Sequence, residues 1–66
     1  MLKSFNNIRI GKKFRLINFS EVSEFEVLEI MGNGDSKLKD IHTLEAYTLF
    51  DLIRYGRGED FDIMEL

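Results

Sequence analysis

The stretch FRLINFSEVSEFEVLEI, residues 14–30, decides the fold class, because it carries one six-residue pattern twice. The pattern runs apolar, polar, apolar, apolar, polar, apolar, as FRLINF at 14–19 and FEVLEI at 25–30. It returns as FDIMEL at 61–66. At about 100° per residue, a helix would scatter these apolar positions around its axis and leave no stripe to bury. Strict two-residue alternation fails too, since the phase changes at Leu16–Ile17, Val27–Leu28 and Ile63–Met64. A strand that changes its buried face midway, through a bulge or sharp bend, accounts for the pattern. A strand buried on both faces is the alternative. However, 66 residues are too few to cover both faces of a sheet.

The first two hexads are joined by SEVSE, residues 20–24, a loop of hairpin length. Folding antiparallel about it sets Phe19 opposite Phe25, Ile17 opposite Val27, Leu16 opposite Leu28 and Phe14 opposite Ile30. Asn18 then meets Glu26, and Arg15 meets Glu29. Apolar meets apolar at every such rung, the condition that fixes register.

Beyond Ile30, MGNGDS (31–36) is a turn, since Gly and Asn tolerate positive φ. A third strand follows in KLKDIHT (37–43), then a short fourth near Tyr47. TLFDLIRYG (48–56) has helical marks: Thr48 and Asp51 form a capping-box pair, Leu49, Leu52 and Ile53 share a face, and Gly56 suits the C′ position. The loop RGED (57–60) leads to the final strand. The expected core is Phe14, Leu16, Ile17, Phe19, Phe25, Val27, Leu28, Ile30, Leu38, Ile41, Leu49, Leu52, Ile53, Phe61, Ile63 and Met64. Leu28 is expected at its centre.

This order gives a mainly β domain: a small five-stranded SH3-like barrel with one short helix or 3₁₀ turn before the last strand. A small α+β sheet with the helix on one face is the alternative. The segment LKDIHTLEAYTLFDLIRYGRGEDFDIMEL (38–66) resembles the C-terminal half of small uncharacterised bacterial domains with an SH3-like β-barrel, in its strand–turn–helix–strand order. That resemblance implies the barrel and brings no catalytic motif. Residues 1–66 read as one domain, with 1–9 a flexible basic arm.

Composition narrows the rest. The chain has no Cys and a single His, so neither a disulfide nor a zinc site can staple the fold. Stability must come from packing or from a partner subunit, and a homo-oligomer fits this. The start, MLKSFNNIRIGKK, does not read as a signal peptide, and no eighteen consecutive apolar residues suggest a membrane span. The cytoplasm is the expected location.

Net charge is −3, but the charges are segregated. Lys3, Arg9, Lys12, Lys13 and Arg15 are basic, whereas Glu21, Glu24, Glu26 and Glu29 are acidic, as are Glu59, Asp60, Asp62 and Glu65. Internal strand pairing is the commoner cause of such a pattern, and a bipolar binding surface the rarer one.

Of the residues with chemical potential, His42 has no Ser, Cys or Asp partner at a catalytic spacing, although Asp40 lies two residues away. The acids at 59–65 lack the glycine-turn spacing of a calcium loop. Gly32 and Gly34 lack the Lys-Ser/Thr of a phosphate loop. No cofactor or metal is expected. The most suggestive group is Arg54, Tyr55 and Arg57 with Tyr47, two guanidinium groups beside aromatic rings that can bind a peptide or a base. Against it, basic residues also suit a helix C-terminus, and Tyr55 would serve equally as a cover over the barrel mouth.

The expected function is therefore a non-catalytic binding or regulatory module, with another protein as partner. Nucleic-acid binding through the basic N-terminal arm with Arg54 and Arg57 is the alternative, though an isoelectric point near 5.0 counts against it.

Overall fold

The computed structural model describes residues 8–66. It contains strands β1 (Lys13–Asn18), β2 (Glu21–Ile30), β3 (Ser36–Asp40), β4 (Ala46–Thr48) and β5 (Asp62–Glu65), with a single helical turn, α1 (Leu49–Leu52), before β5. The strands form one open antiparallel sheet in the order β4-β3-β2-β1-β5. The expected mainly β class holds, with five strands and one short helix. The chain crosses from edge strand β4 to the opposite edge strand β5 through α1 and residues 53–61.

The pattern predicts that all three hexads change their buried face midway, but only the one in β2 does so. Val27 pairs with Leu38 and Glu29 with Lys37, so Leu28 is the extra residue of a β-bulge. The bulge turns Ile30, rather than Glu29, to the side of its partner Ser36. Leu28 itself is pushed outward and is 38% exposed, which corrects its expected place at the centre of the core. The other two hexads stay regular. Phe14, Leu16 and Asn18 alternate inward along β1, and Phe61 and Ile63 do the same at β5. Ile17 and Met64 face the outer side.

The β1–β2 register differs from the expected one. The structure pairs Phe14 with Phe25, Arg15 with Glu24, Ile17 with Val22 and Asn18 with Glu21. The turn is only Phe19–Ser20, with φ of 49° and 65°, and residues 21–24 belong to β2. Positive φ at both central positions is the type I′ pattern, whose twist matches that of paired strands. The cross-strand charge match survives the shift. Lys13 lies opposite Glu26, and Arg15 Nε donates to Glu24 Oε2 at 2.9 Å.

The core comprises Ile8, Phe14, Leu16, Phe25, Val27, Leu38, Leu49, Phe61 and Ile63, with Tyr47, Leu52 and Ile53 packed against it. Phe19, Ile30 and Met64, expected inside, are exposed: Phe19 lies on the β1–β2 turn, Ile30 at the end of β2 and Met64 on the outer side of β5. Ile8 sits in the segment read as a basic arm; residues 1–7 of that arm lie outside the described residues.

Helix α1 begins as its sequence indicates. Asp51 N–H donates to Thr48 Oγ1 at 3.2 Å, and Thr48 N–H donates to Asp51 Oδ2 at 3.0 Å. Buried Asp35 adds a third cap, accepting the Phe50 N–H at 2.9 Å. The helix stops at Leu52, short of the expected C′ glycine. Gly56, at φ 89°, instead ends the following turn by donating to Ile53 O. No helix among the described residues is long and apolar enough to cross a membrane.

Candidate functional site

Phe19, like Leu44, carries a bulky side chain at positive φ. A bulky side chain at positive φ is a genuine outlier and costs about 1–3 kcal/mol. Its turn is held from outside the hairpin: the Asp60 carboxylate accepts the Phe19 N–H at 2.9 Å and the Ser20 N–H at 2.7 Å. Gly58 makes room for the ring, since a Cβ there would stand 2.9 Å from Phe19 Cδ1.

Asn18 completes this frame. Its Oδ1 accepts the Gly58 N–H at 2.7 Å, and its Nδ2 donates to Gly56 O at 3.0 Å and to Leu52 O at 3.4 Å. A buried amide at an inward strand position would be costly if unpaired. Here it fastens the segment after α1 to the end of β1.

Arg54, Tyr55 and Arg57 sit on that fastened segment. Tyr55 is 82% exposed, and the Arg54 guanidinium carbon lies 5.4 Å from its ring centre. The Arg57 guanidinium carbon lies 4.9 Å from the ring centre of Phe61. Both distances suit cation–π contact. Phe19, 53% exposed, stands between the two arginines' surroundings. On one side it lines a cleft of about 190 Å³ with Leu52, Arg54 and Tyr55. On the other it borders an open groove with Arg57, Gly58 and Glu59. The cleft is smaller than the several hundred Å³ that usually enclose a small-molecule ligand.

Tyr47 lies apart from these three. Its hydroxyl donates to Asp40 Oδ2 at 2.9 Å, and its ring meets Phe25 edge-on at 6.5 Å. Burial, then the Asp40 carboxylate, push its pKa above the usual tyrosine value. Tyr47 lines a neighbouring groove with Met31 and Lys37, which meets the first cleft at Asp51. The structure thus places Arg54 and Tyr55 in one cleft with Phe19, puts Arg57 in a second groove that Phe19 also borders, and leaves Tyr47 across Asp51.

His42 has a different partner from the one its sequence position suggests. Its Nε2 meets Glu24 Oε1, while Glu24 also holds Arg15. The His42 hydrogen bond first, and Arg15 second, hold the Glu24 carboxyl below its ordinary pKa. The backbone N–H groups of Thr43 and then His42 do the same for Asp40. Of the C-terminal acids, Asp60 clamps the Phe19 turn and Glu65 lies 3.5 Å from Lys12. Among the described residues, no group of three or more His, Cys, Asp or Glu is placed to hold a metal ion.

From the sequence, Phe19 reads as core, Asn18 as a cross-strand partner of Glu26 and Asp60 as one of the C-terminal acids; the structure gives all three to the hairpin frame. One sign was present: Phe14, Leu16 and Asn18 share one phase, so a polar residue already marked the inward end of β1. Compared with family models, curated proteins and solved structures, the chain matches none of them.

Proposed function

We propose that this domain is a non-catalytic binding module, an SH3-like barrel in architecture, that recognises another protein through Phe19, Arg54, Tyr55 and Arg57. Tyr47, across Asp51, marks the far edge of the same surface. The observation that carries this reading is Phe19 itself: a large aromatic ring kept half in water, on a strained turn, by hydrogen bonds from a distant loop. Folding alone favours Asn-Gly at such a turn. Aromatic rings and arginines together are the usual energetic centres of protein interfaces. The barrel reading draws on the strand order and on the short helix that carries the chain from one sheet edge to the other. A cysteine-free chain suits a reducing compartment, and the cytoplasm is the proposed location.

Protein is preferred over nucleic acid because the basic residues at 12–15 lie beside acidic residues of the sheet. Lys12 lies near Glu65, Lys13 opposite Glu26, and Arg15 on Glu24. A phosphate-tracking surface would leave such charges outward and grouped.

The test compares the immobilised domain with its Arg54→Ala/Tyr55→Ala/Arg57→Ala variant, both exposed to extract of the cells that make the protein. The proposal expects a protein retained by the first and lost by the second, with melting temperatures within a few degrees. Equal retention by both, or retention of nucleic acid in place of protein, overturns it.

A further inference from the structure

We infer, resting on that reading, that the cleft between Phe19 and Tyr55 receives a basic side chain, arginine or lysine, from the partner protein. The walls suit such a side chain. Leu16 and Leu52 line the cleft with the two aromatic rings, an apolar passage for a methylene stem. Glu21 and Asp51 also line it, where the charged head would end. Asp51 is already engaged at the Thr48 N–H, whereas the Glu21 carboxylate makes no hydrogen bond or ion pair among the described residues.

Charge selects against the opposite occupant. The cleft and the groove beyond Phe19 are bordered by Glu21, Asp51, Glu59 and Asp60 against Arg54 and Arg57. Each of those guanidinium groups already lies over an aromatic ring, Tyr55 or Phe61. An acidic or phosphorylated segment would meet an excess of carboxylates. A cation meets Glu21 and the exposed face of Phe19, which attracts positive charge through its ring quadrupole. The volume fits one side chain rather than a metabolite.

The probe is a short synthetic peptide alternating Leu and Arg, titrated into ¹⁵N-labelled full chain, with its Leu–Glu counterpart as comparison. The basic peptide should move the amide signals of Phe19, Glu21 and Tyr55 in a saturable manner, and the acidic one should not. Glu21→Lys should weaken binding by about tenfold or more, the scale of one charge-assisted contact. Glu45→Lys, an equal charge change on the β3–β4 turn, should leave binding within a factor of about two. Equal weakening by both variants would reduce the effect to net charge and overturn the inference, as would equal binding of the two peptides. If Glu21→Lys still retains the cellular partner while the Arg54/Tyr55/Arg57 variant does not, the binding surface stands and the basic-side-chain inference falls.

Discussion

The Asp60 carboxylate accepts the backbone N–H of Phe19 at 2.9 Å, across forty-one positions of chain. The same carboxylate takes the next N–H, that of Ser20, so one side chain caps the whole two-residue turn. Because Asn18 binds Gly56 and Gly58 from the other direction, the hairpin tip and the segment carrying Arg54, Tyr55 and Arg57 hold each other in place. The segment after α1 is therefore tied to the hairpin through Asn18 and Asp60, and the helix start is held by Asp35.

Replacing Asp60 by Ala should loosen that coupling. Hydrogen bonds to a charged group at a partly solvated site are each worth about 1 kcal/mol, so Asp60→Ala should lower unfolding free energy by about 1–2 kcal/mol. Urea unfolding checks the loss, and hydrogen exchange should quicken at the Phe19 and Ser20 amides first. Unchanged exchange at both amides would show that the turn holds itself.

The bulge makes a sharp distinction between two leucines. Leu38 is fully buried opposite Val27, while Leu28 is pushed outward next to it. Leu38→Ala should cost about 2–5 kcal/mol, as for other buried leucines. Leu28→Ala should cost under about 1 kcal/mol, as a surface change does. Urea midpoints of the two variants decide this, and equal losses would argue against the bulge.

Stability should fall in acid for a defined reason. In the folded chain Glu24 is held below its ordinary pKa of 4.5 by His42 and then Arg15, and Asp40 below 3.8 by the Thr43 and His42 N–H groups. A carboxyl with a depressed folded pKa stabilises fully above its unfolded value and loses that contribution as pH drops through the folded value. The urea midpoint should stay level down to about pH 5 and then decline. Asp40→Asn should start lower at neutrality and decline less. In alkali the sign reverses at Tyr47, whose raised pKa gives stability that is lost as pH rises beyond the ordinary value of about 10. Tyr47→Phe should remove that alkaline loss.

What the sequence displayed and what it concealed follow from the range of the interactions. The Val27–Leu28 phase change coincides with the bulge, whereas the same change at Leu16–Ile17 and Ile63–Met64 coincides with none, so the pattern alone does not mark it. The Thr48–Asp51 box is local, and it starts the helix. The register was hidden because Phe19–Ser20 contains none of the Gly or Asn that advertises a type I′ turn, while SEVSE looks like a loop. What makes Phe-Ser workable is Asp60, far along the chain, and no local pattern reports it. Arg54 and Tyr55 could be singled out by their chemistry, but their neighbour Phe19 could not, since a phenylalanine in an apolar hexad reads first as core.

The most direct test asks whether Phe19 is kept for recognition at a cost to stability, and it uses one variant, Phe19→Asn/Ser20→Gly. Asn-Gly relieves the positive-φ strain and should raise Tm by roughly 4–8 °C, the scale of about 1 kcal/mol in a domain of this size. The same variant should no longer retain the cellular partner held by the unaltered chain. A variant that melts higher and still binds would show that the ring is no part of the interface. One that melts lower would show that Phe19 serves the fold, and either result contradicts the account.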